Sequence, residues 1–329
     1  MTNPQNLKAT LWLVAGGTAL TCLACVPWIA GYATQRLLVE VLCIMSIALA
    51  WNLLAGYAGL IVVGHHMFVG VGAYALFAIS NGFELNPWVA LPLAAVVTAA
   101  FAAVSALPLF RLSGPYFAVA TWVLAEVLRI GATNSPWLGA GGGMPLDALS
   151  GFDRATRNAG VYWAALTVFV GSLLTAWAML RGRLGLALMS IRDSEVAAAA
   201  AGVSVPRAKF LLWLVAGTIA GLGGAVSYMS TLRVTPDAAF SLNWTATALF
   251  IAILGGIGTL EGTFLGAFLY FVSRELFAGY GTWYFVGIGV LAMLVMVVAP
   301  GGIWSLVNRR GSVDVFSIRR RAPVYGIDS

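Results

Sequence analysis

Residues 88–110, WVALPLAAVVTAAFAAVSALPLF, run for 23 positions without one Asp, Glu, Lys, Arg or His. As a helix this stretch rises about 34 Å at ~1.5 Å per residue, enough to cross the ~30 Å hydrocarbon core of a bilayer. In water such a helix would expose apolar side chains all round. In lipid it needs no polar face, because its backbone groups are satisfied within the helix itself. The stretch is therefore read as a membrane span.

Similar runs occupy 11–31, 37–55, 66–82 and 114–131 and, beyond the longest polar loop, 160–180, 208–231, 241–258, 262–278 and 282–300. The sequence thus predicts an all-α, polytopic helical membrane protein of about ten transmembrane helices, forming a single transmembrane domain over residues 1–329. Composition agrees: 60% of residues are hydrophobic and 9% charged, against about 25% charged in soluble domains. The mean hydropathy is +0.91. The 38 glycines suit helices whose backbones approach closely in lipid. The first apolar run is longer than the ~7–15 residues of a signal-peptide core, so it reads as a span. The stretches 132–159 and 301–329 are too short to bury a soluble core, so chemistry that needs one is expected from partners.

The formal charge of +6 matters less than where it sits. Arg181, Arg183, Arg192, Arg207 and Lys209 crowd one connection, and Arg309, Arg310, Arg319, Arg320 and Arg321 crowd the tail 301–329. Cytoplasmic loops collect Lys and Arg, so both regions are expected inside. An even number of spans then places both termini, Lys8 and Arg111 on the cytoplasmic side. The loops near Glu84 and Asp153 fall outside. Membrane lipid is the expected environment, and nothing in the pattern calls for nucleic acid.

The segment 184–202, LGLALMSIRDSEVAAAAAG, is helical in composition but too weakly apolar to span. Asp193 is read as the N-cap of a helix over the Ser194 to Ala201 run, with Glu195 in its first turn and Gly202 as its C′ stop. A two-turn helix with an alanine face would let another protein's groove approach its backbone. The alternative is an ordinary surface connection.

Glu126 and Arg129, spaced i, i+3, are an ionisable pair inside a span. Counted from Gly114 at ~1.5 Å per residue, Glu126 lies about 18 Å into the membrane, which puts the pair in the outer half. It is either a polar lining of a pathway or a neutralised structural pair. Arg274 and Glu275, near a span end, are read as marking an interface. The adjacent His65 and His66 point to different helix faces and cannot readily chelate one metal. Cys22, Cys25 and Cys43 lie in apolar runs without a disulfide framework. No G-x-x-x-x-G-K-[ST] occurs, so no phosphate cradle is encoded and no cofactor is expected.

Four ordered motifs carry a family resemblance. They are Asn52-Leu53-Leu54-Ala55-Gly56-Tyr57-Ala58-Gly59 with Gly64-His65 and Gly70-Val71-Gly72-Ala73-Tyr74; Gly114-Pro115-Tyr116-Phe117-Ala118; Ala187 to Gly202 around Ile191-Arg192-Asp193; and Leu254-Gly255-Gly256-Ile257-Gly258-Thr259. The chain resembles the LivM-type permease subunit of branched-chain amino acid ABC importers over most of its length. The resemblance implies a non-catalytic permease in a bacterial inner membrane. It would move branched-chain or related amino acids inward alongside two ATP-binding subunits, a second homologous permease subunit and a periplasmic solute-binding protein. It also implies that 184–202 is a cytoplasmic coupling segment, with Arg192, Asp193, Glu195 and Gly202 as its coupling residues.

Glycine clusters interrupt apolar stretches, and broken helices at membrane depth occur only where they are buried in protein or line a wet cavity. Asn52, Gly56, Tyr57, Gly59, His65, Tyr116, Glu126, Gly255 and Gly256 are accordingly expected along the translocation pathway. Half-helix ends there could present N–H groups to a substrate carboxylate. For any single glycine, close packing is the alternative. Two departures from the family touch substrate identity: Leu60, Val62 and Val63 make the first motif more apolar, and the loop Gly139 to Pro145 lacks an acid. The same architecture for urea, an amide or another small solute, and a self-sufficient secondary transporter, are the competing readings. No convergent acid, base, nucleophile or metal set suggests an enzyme.

Overall fold

The computed structural model describes residues 17–18, 21–149, 151–277, 279, 281, 283–299 and 301–307. Within them the fold is helical, with one pair of two-residue strands. The first long helix is α1 (Tyr32–Asn52), extended by a π-helical turn at Leu53–Tyr57, and it is preceded by helical residues 21–29. Then follow α2 (His66–Gly82), α3 (Pro87–Leu109), α4 (Pro115–Asn134) and α5 (Arg154–Arg181). Two short helices, α6 (Arg183–Asp193) and α7 (Glu195–Ala200), lead into α8 (Val205–Thr231). The chain continues through α9 (Pro236–Ala239), α10 (Leu242–Gly255), α11 (Leu260–Phe277), α12 (Trp283–Val298) and α13 (Gly302–Val307). Strand β1 (Met144–Pro145) pairs antiparallel with β2 (Arg233–Val234).

Among the described residues, seven helical stretches are long and apolar enough to cross a membrane: Tyr32–Tyr57, Pro87–Leu109, Pro115–Asn134, Arg154–Arg181, Val205–Thr231, Pro236–Gly255 and Val286–Leu306. The expected helical membrane architecture is present, with seven such stretches among the described residues beside the expected ten or so. The helix α2 counts 17 residues, slightly short of a full span, for a reason given below. The expected first span, 11–31, lies partly outside the described residues, and Arg309 to Arg321 of the tail lie wholly outside them.

The bundle is organised around α8, which packs against α1, α2, α3 and α5. Small residues make this possible: a Cβ on Gly72 of α2 would stand 2.1 Å from the carbonyl oxygen of Gly221 on α8. The two backbones are thus in direct contact, which in lipid supplies the dispersion attraction that water exclusion supplies elsewhere. Around them Phe68, Phe110 and Phe117 ring Trp213 with centroids 5.1, 5.6 and 5.8 Å away, and the Trp213 indole N–H donates to Ser105 Oγ at 3.2 Å. Aromatic pairs of this kind add about 0.5–1.5 kcal/mol each beyond their burial.

Candidate functional site

Two polar regions stand out, one at the end of the bundle that carries α6 and α7, the other along α4. The first begins with Asn52, which is fully buried at the last position of α1. Its Nδ2 donates to the Thr259 carbonyl at 2.8 Å and to Thr263 Oγ1 at 3.1 Å, and its Oδ1 accepts from the Gly258 N–H at 2.8 Å. One side chain thereby ties the end of α1 to the glycine turn between α10 and α11. The fit is backbone to backbone: a Cβ on Gly56 would lie 2.4 Å from Gly258 N, and one on Gly255 would lie 1.8 Å from the Gly262 oxygen. Gly258 holds φ +82, a left-handed conformation that glycine adopts without a side-chain penalty.

Arg192 enters the same knot from α6. Its Nη1 donates to the Gly56 carbonyl at 2.6 Å, and its aliphatic part lies against Gly59, 3.7 Å from where a Cβ would sit. Gly56 lies within the π-helical turn, where i→i+5 bonding loosens the usual carbonyl register. The segment 184–202 is thus joined directly to the end of a spanning helix.

The segment also corrects one sequence expectation. Asp193 does not cap the second short helix; it is the last residue of α6. Ser194 takes extended angles and accepts from the Ala197 N–H at 3.3 Å, so Ser194 is the N-cap. Two adjacent residues were both good caps, and the break fell after the acid. Gly202 stands where expected, with φ +84. Val203 N–H donates to the Ala198 carbonyl and Gly202 N–H to the Ala199 carbonyl, the paired bonds of a Schellman stop. Glu195 pairs with Lys209 of α8 at 2.6 Å.

Beyond Gly59 (φ +68) the chain turns back into the bundle. The Trp51 indole N–H donates to the Val62 carbonyl at 2.9 Å, so Val62 has already climbed back to the level of Trp51. The Gly64 N–H meets Thr121 Oγ1 of α4 at 3.1 Å, and the His66 N–H meets Thr245 Oγ1 of α10 at 3.0 Å. Thr245 is ten residues above Gly255, about 15 Å of helix, so α2 begins near mid-depth. That is why it is shorter than its neighbours. Its first N–H groups are occupied by Thr245, by the Gly64 carbonyl (from Met67) and by the His65 carbonyl (from Phe68). They are not standing open for a substrate carboxylate. His65 is fully buried, edge-on to Phe68 at 5.8 Å. Tyr57 is buried beside the glycine knot, whereas Tyr116, at the start of α4, is exposed.

The second region lies on α4, facing outward. Arg129 chelates Glu126, Nε donating to both carboxylate oxygens at 3.0 Å and Nη2 to Oε1 at 2.5 Å. Its Nη1 reaches Asp237 Oδ1 of α9 at 2.5 Å. The i, i+3 spacing foretold the first contact; Asp237, 108 residues away in sequence, gave no local signal. The three side chains remain 44%, 32% and 78% exposed for Glu126, Arg129 and Asp237. A second pair escaped the sequence reading: Arg274 of α11 binds Glu40 of α1 through both guanidinium nitrogens at 2.5 and 2.9 Å. Arg274 therefore bridges two helices.

Comparison with known proteins places the chain in a family. A family model described as the branched-chain amino acid transport system permease component matches residues 33–299. The high-affinity branched-chain amino acid transport system permease protein LivM of Salmonella typhimurium is 28% identical over 325 residues, covering 91% of this chain and 76% of that protein. LivM of Escherichia coli K12 matches to the same extent. The autoinducer 2 import system permease protein LsrC of Enterobacter sp. is 29% identical over 229 residues, covering 66% of this chain and 65% of that one. No solved structure matches. The mid-depth start of α2, the glycine knot and the multi-pass helical bundle are thus features of a chain that belongs to the branched-chain amino acid transport permease family, the membrane component of ABC-type transporters.

Proposed function

We propose that the chain is the transmembrane permease subunit of a binding-protein-dependent importer in a bacterial inner membrane, moving branched-chain or related amino acids inward. It works with two ATP-binding subunits, a second homologous permease subunit and a periplasmic solute-binding protein, and both termini are cytoplasmic. The observation that carries this reading is the 2.6 Å bond from Arg192 to the Gly56 carbonyl. Through it, a push on the short helices α6 and α7 reaches the end of α1 and the glycine turn before α11. Val196 is 81% exposed on α7 beside small alanines, a surface that a groove on an ATP-binding subunit can grip. Asp193, Glu195 and Gly202 shape that surface, while Arg192 transmits from it.

The solute path runs along α4 from Arg129 and Glu126 toward Tyr116, past the mid-depth break at His65. Asn52, Gly56, Tyr57, Gly59, Gly255 and Gly256 form its hinge at the cytoplasmic end. Two carboxylates and one guanidinium give the α4 network both signs of charge, which suits a zwitterion better than an uncharged solute. The names of the LivM relatives favour the same substrate class.

The test uses the complete transporter in proteoliposomes. Arg192→Ala should leave the ATP-binding subunits attached and hydrolysing ATP while leucine uptake per ATP falls about tenfold, as loss of one charge-assisted hydrogen bond in the linkage predicts. Val196→Asp should release the ATP-binding subunits. Fully coupled uptake in both variants would sink the reading. Ion-driven uptake by the purified chain alone would point to a secondary transporter.

A further inference from the structure

At the end of the bundle opposite α6, a cavity of about 360 Å³ opens between the start of α1, the start of α5 and the end of α8. Val39, Val161 and Met229 form its buried floor, and Arg36, Arg154 and Arg157 its charged wall, with Tyr32 at the rim. Among the described residues none of the three guanidinium groups meets a carboxylate. The acids nearest them in sequence have other partners. Glu40 holds Arg274, and Asp153 caps α5 by accepting from the Ala155 N–H at 3.1 Å. The sequence before Glu40 contains no Asp or Glu at all.

These arginines break two rules at once. Arg154 is the first residue of α5 and Arg157 lies in its first turn, where the helix dipole repels cations. In the orientation proposed above, on which this step rests, they also lie at the outer face, where Lys and Arg are normally sparse. Charge placed against both preferences calls for a compensating anion. The surroundings say which kind. Trp28 is 74% exposed and Tyr32 54%, and Trp28 stacks edge-on to Trp163 at 5.8 Å. Exposed Trp and Tyr collect at the headgroup level of a bilayer. The cavity is therefore level with lipid phosphates, with an apolar floor below and cations beside it.

We propose that this cavity is a binding site for the phosphate headgroup of an anionic phospholipid in the outer leaflet, held by Arg36, Arg154 and Arg157. The lipid fastens the ends of α1, α5 and α8 to one another. The assembled transporter is placed in phosphatidylcholine nanodiscs with or without phosphatidylglycerol, and retained lipid is counted by native mass spectrometry. The wild-type chain should keep one phosphatidylglycerol through delipidation. Arg154→Gln with Arg157→Gln should weaken retention about 25-fold, at roughly fivefold per removed cation. Arg154→Lys with Arg157→Lys should restore much of it, which separates charge from a folding defect. Equal retention in the Gln variant overturns the proposal. Protection by inorganic phosphate alone, in phosphatidylcholine, would reassign the site to free phosphate and overturn the lipid assignment. Loss of solute-binding-protein docking with lipid retention unchanged would reassign it to a protein partner and also overturn it. Each outcome reads lipid retention or docking and not ATP coupling, so failure here is distinct from failure of the import reading.

Discussion

At the α6 end, Asn52 satisfies its amide against Gly258, Thr259 and Thr263 with no solvent in reach. Along α4, Glu126, Arg129 and Asp237 satisfy one another while all three stay partly exposed. The helices that carry these groups differ in the same way: 78% of the apolar stretch of Tyr32–Tyr57 is buried, against 22% for that of Pro115–Asn134. The first region is complete within this chain. The second is left partly uncovered by this chain. A rigid interior end joined to an unfinished lateral face is what a lever needs if it is to move a wall of a pathway.

The comparison predicts its largest effect at Gly255. An alanine there would put Cβ 1.8 Å from the Gly262 carbonyl oxygen, and the obstruction is backbone, which no rotamer change relieves. Gly255→Ala should abolish monodisperse protein in size-exclusion chromatography of solubilised membranes. Gly131→Ala on α4, where a Cβ meets nothing within 4 Å, should leave the profile unchanged and gain up to ~1 kcal/mol of helix preference. Similar profiles for the two would erase the distinction between the regions.

A smaller effect is expected at Asn52. Its replacement by Ala keeps the backbone but strands the buried Gly258 N–H, and an unsatisfied buried group costs about 1–3 kcal/mol. The thermal midpoint in detergent should fall by several degrees. An unchanged midpoint would mean that the knot is held by glycine packing alone.

What could be read from the sequence followed from how far apart the partners are. The spans, the Gly202 stop and the Glu126–Arg129 contact each depend on residues within a few turns, so composition and spacing reveal them. The single-residue choice between Asp193 and Ser194 as cap was not decided by spacing, since both types cap well and helix ends are the least determined positions. Arg192 to Gly56 and Arg129 to Asp237 join residues 136 and 108 apart, and only the packed bundle brings them together. The mid-depth start of α2 was hidden for a related reason. Residues 58–65 are as apolar as a span, and only their bonds to Trp51, Thr121 and Thr245 show that they turn back.

The smallest structural effect is expected on α4, and there the size of the effect separates its two readings. Glu126→Gln leaves Arg129 its contact with Asp237, and pairs this exposed contribute about 0–1 kcal/mol, so the midpoint should shift little. If the network only neutralises the Arg129 charge, uptake should then be as unaffected as stability. If it meets a zwitterion, removing one carboxylate leaves a solute ammonium with Asp237 alone. The KM for leucine uptake should then rise about three- to tenfold, the equivalent of one charge-assisted hydrogen bond partly lost, with ATP hydrolysis and subunit assembly unchanged. Asp237→Asn should act in the same direction and more weakly, because at 78% exposure water replaces most of what the carboxylate offers. A double variant no worse than Glu126→Gln alone would place the carboxylate that matters on α4, and a wild-type KM in all three would make the face a structural surface.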